Sequence, residues 1–539
     1  MRNRSVETHS TTAKLLILAA VCLAGLSMPV SFTGPAVALP AIGQALGGSP
    51  LALNWVTNAF MLAFGSFLLV AGTLADRFGR KRLFLCGTLG FALTSIVAMR
   101  VSSILELDLV RALQGLTSAA ALSAGAAALA QEFEGNARTR AFSVLGTTFG
   151  VGLAFGPIVA GVLIAHFGWR SVFWSVTVIT LIAFVFGANC IRETRDPDAI
   201  GLDWLGAASF IGGLTLFTYA VLRVPDSGWT SMSVLGTLAA SAVVMGAFVL
   251  VERRARRPML DLSLFRYPRF IGVQFLAAAP AYSYVVLLVL LPTRLIGIEG
   301  HGSVAAGQMM FALSAPMLVI PMMAGLLTRW LAPGVIAGVG LLLCAFGQLW
   351  LAQCAPGGPI APMLTAMFVI GVGVSLPWGL MDGLAVSVVP KERAGMATGI
   401  FNTTRVAGEG IALAIVAALF ASFTETSLRG AAFARVDTAT LGEAANRLAM
   451  GDLSMAAAML PHATRVELIH LYGGAFHVLL YVLAGITVLS ALMVFGFLSH
   501  SKLPHIDEHR PEAERTCRPA AATRSLSESL PRVADVDGI

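Results

Sequence analysis

Five ionisable residues stand deep inside long apolar runs of this chain: Asp108, Arg111, Asp382, Arg405 and Glu409. A charged side chain in an apolar medium is costly unless paired, hydrated or put to use, so each is a candidate for proton or ion chemistry. Asp108 and Arg111 are three apart and share one face of a helix, where they can pair. Arg405 and Glu409 are four apart, inside "RVAGEGIA", whose glycines admit close helices or water. A movement that separates this second pair would change the protonation of Glu409, which is what a coupling site requires. A static pair that only neutralises itself is the alternative. Asp382 lies eight residues before Pro390, hence about 12 Å up a helix from its end, within reach of a water-filled vestibule.

The residues for other chemistry are missing. Six cysteines (Cys22, Cys86, Cys190, Cys344, Cys354, Cys517) show neither metal-site nor disulfide spacing, and the nine histidines form no ligand pair on one helix face. There is no glycine loop followed by Lys-Ser/Thr to cradle a phosphate, and no nucleophile–base constellation. The expectation is a protein that is not an enzyme and carries no metal or other cofactor.

The elements that position the five charges follow from composition. Of 539 residues, 57% are hydrophobic and only 12% charged, and the mean hydropathy is +0.80. Soluble domains carry roughly a quarter charged residues, so a lipid bilayer is the solvent for most of this chain. The net charge of +7 does not point to nucleic acid, because the basic residues fall in short loops rather than on one face. Runs of about 20 apolar residues without a strand's alternation predict an all-α polytopic protein. Fourteen spans are expected near 14–42, 51–75, 82–100, 104–131, 138–165, 169–190, 202–222, 230–252, 270–294, 303–328, 333–353, 360–389, 394–424 and 473–498. An even number puts both termini on one side. Lys and Arg crowd the loops on that side, as in Arg253 to Arg269, while the other face has Arg100, Arg170, Arg223 and Arg294. The positive-inside rule then places both ends in the cytoplasm. Residues 425–470 are expected to form a long outside loop with short helices near 440–449 and 453–471. The segment 1–13 is a cytoplasmic N-terminus, and 500–539 reads as a disordered cytoplasmic tail.

A shift of 253 residues lays Gly72 on Gly325, Leu74 on Leu327 and Gly87 on Gly340, and "RAFSVLG" at Arg140 on "RAGMATG" at Arg393. One offset serving two distant regions points to duplication: a six-helix half over 14–190, a second over 270–499, and two inserted helices with a basic linker over 191–269. Parallel halves of this kind place a substrate site between them near the midplane.

The motifs resemble those of the major facilitator superfamily. "GTLADRFGRKRL" (Gly72, Asp76, Arg77, Gly79, Arg80) is similar to its loop signature after span two, and "RALQG" at Arg111 to its span-four signature. "GLAFGPIVAG" (Gly152, Gly156, Pro157, Gly161) resembles the span-five signature of its exporters, with Ser143 and Ala160 where Gly is frequent. "ALP" at Ala38, "WRSVFW", "PMLDLSLFR", "RAGMATGIFNTTR" and the fourteen spans look like the 14-helix drug:proton antiporters.

The resemblance implies a multi-pass, bacterial inner-membrane transporter of a small amphipathic or aromatic compound, coupled to protons and working by alternating access. It implies that Asp76 docks on the N-terminus of span thirteen, a contact made in one access state only, while Gly79 allows the turn. The functional reading of Gly152, Gly156, Pro157 and Gly161 stands beside ordinary close packing. Arg111 is given a part in proton transfer. The pocket would be lined by Thr33, Asn58, Phe60, Gln274 and Tyr282, with Tyr284, Gln308, Trp378 and Asn402, and with Met309, Met310, Met317, Met322 and Met323 as an adaptable wall. One departure matters: the first helix carries Ser31 and Ala36 where the family has an acid and an asparagine. That favours Glu409 as the coupling group, or a facilitator or importer on the same fold. A sensor that lost turnover is the rival from another class; the intact turn and span-five motifs speak against it.

Overall fold

A computed structural model describes residues 11–133, 135–195, 203–254, 262–389, 394–430, 437–460 and 463–498. Fourteen helices in it are long and apolar enough to cross a membrane. Span one is Thr11–Leu46, two Pro50–Phe78, three Arg80–Ala98, four Ile104–Glu132, five Gly135–Phe167, six Ser171–Cys190 and seven Trp204–Leu222. Span eight is Met232–Arg254, nine Pro268–Ile298, ten Ser303–Leu327, eleven Pro333–Ala352, twelve Ile360–Ser387, thirteen Ala394–Gly430 and fourteen Arg465–Leu498.

Local chemistry sets the ends. Ser49 accepts from Ala52 N at 3.2 Å ahead of Pro50, starting span two. Ser103 does the same for Glu106 N at 3.3 Å, and Glu106 reaches back to Ser102 N at 2.8 Å, starting span four. Span nine was expected to be a plain helix; it widens into π-helical turns at Ala281–Val285 and Thr293–Ile298, next to Pro280 and Pro292. The loop after span thirteen holds helices Thr438–Ala449 and Leu453–Met459. The second is shorter than expected, because the rest of its predicted range begins span fourteen at Arg465.

The halves use equivalent contacts. In the first, span two packs on four, three on four and six, and one on five and six. In the second, ten packs on twelve, eleven on twelve and fourteen, and nine on thirteen and fourteen. Spans seven and eight pair with each other, and seven lies against both two and thirteen, so the insertion sits where the halves meet. Two seams join the halves. A Cβ on Gly65 of span two would stand 2.7 Å from Ala407 N of span thirteen, and one on Gly307 of span ten would press on Pro157 O of span five.

Candidate binding cavity and its charged lining

Between the halves lies a cavity of about 610 Å³, a volume that includes its opening. Its wall is aromatic and methionine-rich, with Phe32, Phe60, Phe64, Phe149 and Trp378 beside Met28 and Met61. Arg405 and Glu409 are its only charged lining among the described residues. One turn apart on span thirteen, both face inward because 3.6 residues per turn returns the helix to the same side.

The pair expected within that helix is not formed. Arg405 lies over the rings of Trp378 and Phe401, at 5.7 and 5.6 Å, and reaches Asp382 Oδ1 of span twelve at 3.8 Å. Ring faces and a carboxylate from a neighbouring helix draw the guanidinium away. Glu409 stays on the cavity wall, 9% exposed. The Asp382 side chain is 63% exposed; Pro390, from which its depth was counted, lies outside the described residues.

The other arginine behaves differently. Arg111 is fully buried and donates to Val56 O at 2.8 Å, Ser31 Oγ at 3.0 Å and Gln114 Oε1 at 2.8 Å, with Phe60's ring 4.4 Å away. Gln114 passes the chain on to Ser95 Oγ at 2.8 Å. Asp108 and Arg111 act on each other electrostatically but form no ion pair within 4 Å: the guanidinium turns into the first half, and Asp108 Oδ1 is left buried with no hydrogen-bond partner. The serine that replaces the family's acid is itself a ligand of this buried cation.

Of the nine predicted pocket residues, Phe60 and Trp378 line the cavity. Asn58 lines a different chamber, closer to the Gly47–Ser49 turn. Thr33 is buried and bonds to Pro29 O at 2.8 Å; Tyr282 bonds to Ser490, and Tyr284 to Ser314 at 2.9 Å, so all three are spent in packing. Gln274 is buried with its amide unpartnered, Asn402 is half-buried, and Gln308 is exposed. Met322 and Met323 are exposed too, at 70% and 48%, and the methionines that line the cavity are Met28 and Met61. Sequence reasoning passed over both, along with Phe32 and Phe64. Their signal was only a place within about one helical turn of Phe60 or Ser31.

The glycines of span five pack closely in this conformation. A Cβ on Gly152 or Gly156 would strike Pro29 or Thr33 of span one, and one on Gly161 would strike Ser303 O of span ten. At that same end, Arg447 donates to Gly48 O at 3.1 Å, and a Cβ on Gly297 would run into Gly451. The halves are thus in close contact there, while the Asp382 side chain is exposed. At the basic turn, Gly79 has φ 113°, a conformation disfavoured for other residues. Glu193, from the segment after span six, sits over it and accepts from Arg82 N at 3.3 Å. Asp76 accepts from Arg80 at 2.7 and 3.1 Å. The partner expected for Asp76, at 390–393, lies outside the described residues.

These features have parallels in known proteins. The model of the Major Facilitator Superfamily matches residues 19–413, and the chain belongs to that family. It is 29% identical over 407 residues to the tetracenomycin C resistance and export protein of Streptomyces glaucescens, covering 75% of this chain and 76% of that one. It is 30% identical over 394 residues to multidrug resistance protein Stp of Mycobacterium tuberculosis, covering 73% of each. It is 28% identical over 502 residues to multidrug efflux pump LfrA of Mycolicibacterium smegmatis, covering 91% and 97%. Among solved structures, a bacterial homolog of the human lysosomal transporter Spinster superposes with TM-score 0.59 at 16% identity, over 91% and 99% of the chains. A peptide transporter, POT, does so with TM-score 0.59 at 12% identity, over 93% and 98%. The protein is a multi-pass cell-membrane transporter with the major facilitator fold.

Proposed function

We propose that this transporter exports small amphipathic or aromatic compounds from the cytoplasm, driven by protons and alternating access. Both termini and the basic turn lie on the cytoplasmic side in this reading. The observation that carries it is Glu409, a carboxyl buried on the wall of the central cavity while Arg405 is held toward Asp382. The proton occupancy of such a group changes with the distance of that cation and with its hydration, both of which differ between access states. The described state, with the halves in close contact at the outer end and Asp382 exposed, is suited to loading from the cytoplasm. The aromatic and methionine wall suits a variable ligand, and relatives named for resistance and export support the direction. Closing the basic end would let Asp76 exchange Arg80 for the start of span thirteen, where a carboxylate is favoured. A potential of about 100 mV supplies about 2.3 kcal/mol per proton charge moved.

The test is substrate-dependent proton movement in inverted vesicles over a panel of aromatic compounds. Glu409→Gln should keep substrate binding and lower proton-driven accumulation by about 100-fold, the scale of a lost proton-transfer group. If Glu409→Gln accumulates substrate with the parent's pH dependence, Asp382 or Asp108 takes the coupling role. A facilitator, the reading that the missing acid at Ser31 favours, predicts transport without proton movement.

A further inference from the structure

A second chamber, of about 660 Å³ including its opening, lies toward the Gly47–Ser49 turn and shares no lining residue with the central cavity. Spans two, nine and thirteen form its walls, largely leucines, valines and Phe420. Asn446 and Met450, in and just after the helix Thr438–Ala449, roof it. Asp226, from the link between the inserted spans seven and eight, is its only charged lining among the described residues.

Several donors of this chamber are already used: Asn58 Nδ2 gives to Asn54 O at 2.9 Å, Thr57 Oγ1 to the same carbonyl at 3.3 Å, and Thr293 Oγ1 to Val289 O at 2.9 Å. Asn446 Nδ2 gives to Asp226 Oδ1 at 2.9 Å. One buried acceptor is left over: Asn58 is 1% exposed and its Oδ1 has no partner. Asp226 is exposed, and its second oxygen accepts nothing from the described residues. A buried acceptor without a donor is costly, so Asn58 Oδ1 favours a guest that brings an N–H group, and the Asp226 carboxylate favours a cation.

We infer that this chamber is a second binding site, distinct from the central cavity, for amphipathic organic ammonium ions. The ammonium meets Asp226 and Asn58, and the apolar body lies against the leucine, valine and Phe420 walls. The environment of Asp226 agrees. Burial raises its carboxyl above the ordinary aspartate range against the pull of Arg223, Glu443 adds to the rise, and the Asn446 hydrogen bond lowers it. No described cation lies within 4 Å of it, since Arg447 is engaged with Glu443 at 3.7 Å and with Gly48 O. An incoming ammonium adds a direct counter-charge to the more distant pull of Arg223. The site extends the proposed export by giving the cargo a station near the outer end. Its test reads binding alone, so its failure and the failure of the export reading are distinguishable.

The probe is monodansylcadaverine, an aromatic primary ammonium, with its N-acetyl derivative as the neutral control. Equilibrium binding is measured by fluorescence on the full chain in nanodiscs, as wild type and as Glu409→Gln, which removes the central carboxyl. In both, adding Asp226→Asn should weaken the ammonium probe about tenfold, the scale of one lost charge-assisted contact, and leave the acetylated probe unchanged. Ala417→Phe, which fills the chamber from span thirteen, should remove the Asp226-dependent binding as well; it also decides the matter if Asp226→Asn fails to fold. The inference is overturned if Asp226→Asn binds the ammonium as before, if both probes weaken equally, or if the Asp226-dependent binding survives Ala417→Phe.

Discussion

Two arginines of the membrane spans have different surroundings. Arg111 in span four is fully buried and donates to neutral groups, Val56 O, Ser31 Oγ and Gln114 Oε1, beside the ring of Phe60, with Asp108 three residues earlier in the same helix. Arg405 in span thirteen is half-buried and lines the central cavity, with Asp382 at 3.8 Å and Glu409 one turn away. A cation locked by three hydrogen bonds in packed surroundings is suited to a structural role. A cation between two carboxyls, one exposed and one buried, can alter either by a small movement. In this chain the second half has the arrangement suited to titration, and the first half has the one suited to rigidity.

The largest expected difference beyond Glu409→Gln comes from removing each arginine. Arg111→Ala leaves Ser31, Gln114 and a carbonyl without their donor, and should cost about 2–4 kcal/mol of stability, seen as lost folded yield and a lowered melting temperature. Arg111→Lys should not restore it, because an ammonium cannot span three divergent acceptors. Arg405→Ala should instead fold and insert, but displace the pH profile of transport by about a unit. Equal thermal losses in the two variants would erase the contrast.

Gly79→Val should come next. A β-branched side chain at φ 113° meets both backbone strain, about 1–2 kcal/mol, and the Glu193 carboxylate over the turn. Transport should fall several-fold by vesicle uptake, with insertion into the membrane retained. Ser31→Asp is a finer test, since it returns a carboxylate to Arg111. It should raise the melting temperature and leave the pH dependence of transport unchanged. A shifted pH dependence would move coupling back to the first half.

The smallest effect concerns Asp226. Its carboxyl is raised by burial, against Arg223, so the folded protein holds that proton more tightly than an unfolded chain does. The stabilising contribution is full below the ordinary aspartate range and is lost as pH rises through the raised value. Melting temperatures of the wild type should therefore decline slightly over that interval, and Asp226→Asn should remove the decline.

Much of the fold was legible because lipid imposes a coarse rule. Twenty apolar residues make a span whatever their order, so fourteen helices, the turn at Gly79 and the doubled halves could be read from "DRFGRKR", the offset from Gly72 to Gly325 and composition. The five charges within the spans were legible for the same reason: a charge stands out against apolar neighbours. The faces of the helices were not. In a soluble helix the polar side marks the outside, but here lipid and core are both apolar. Nothing in the sequence separates exposed Gln308 and Met322 from Phe32 and Met61 on the cavity wall.

The sequence by itself determined which residues carry charge, where the spans run and that Ser31 stands in place of an acid. Partners were decided only by the tertiary structure. Spacing by three or four limits who is in reach along one helix, and it made Asp108–Arg111 and Arg405–Glu409 look like pairs. Long guanidinium arms choose among every acceptor and ring that packing brings near. The winners came from other segments: Ser31 and Val56 O for Arg111, Trp378 and Asp382 for Arg405. The second chamber has the same origin. Asp226 and Asn446, 220 positions apart, meet there only because the insertion lies against spans two and thirteen, and the loop helix folds over them.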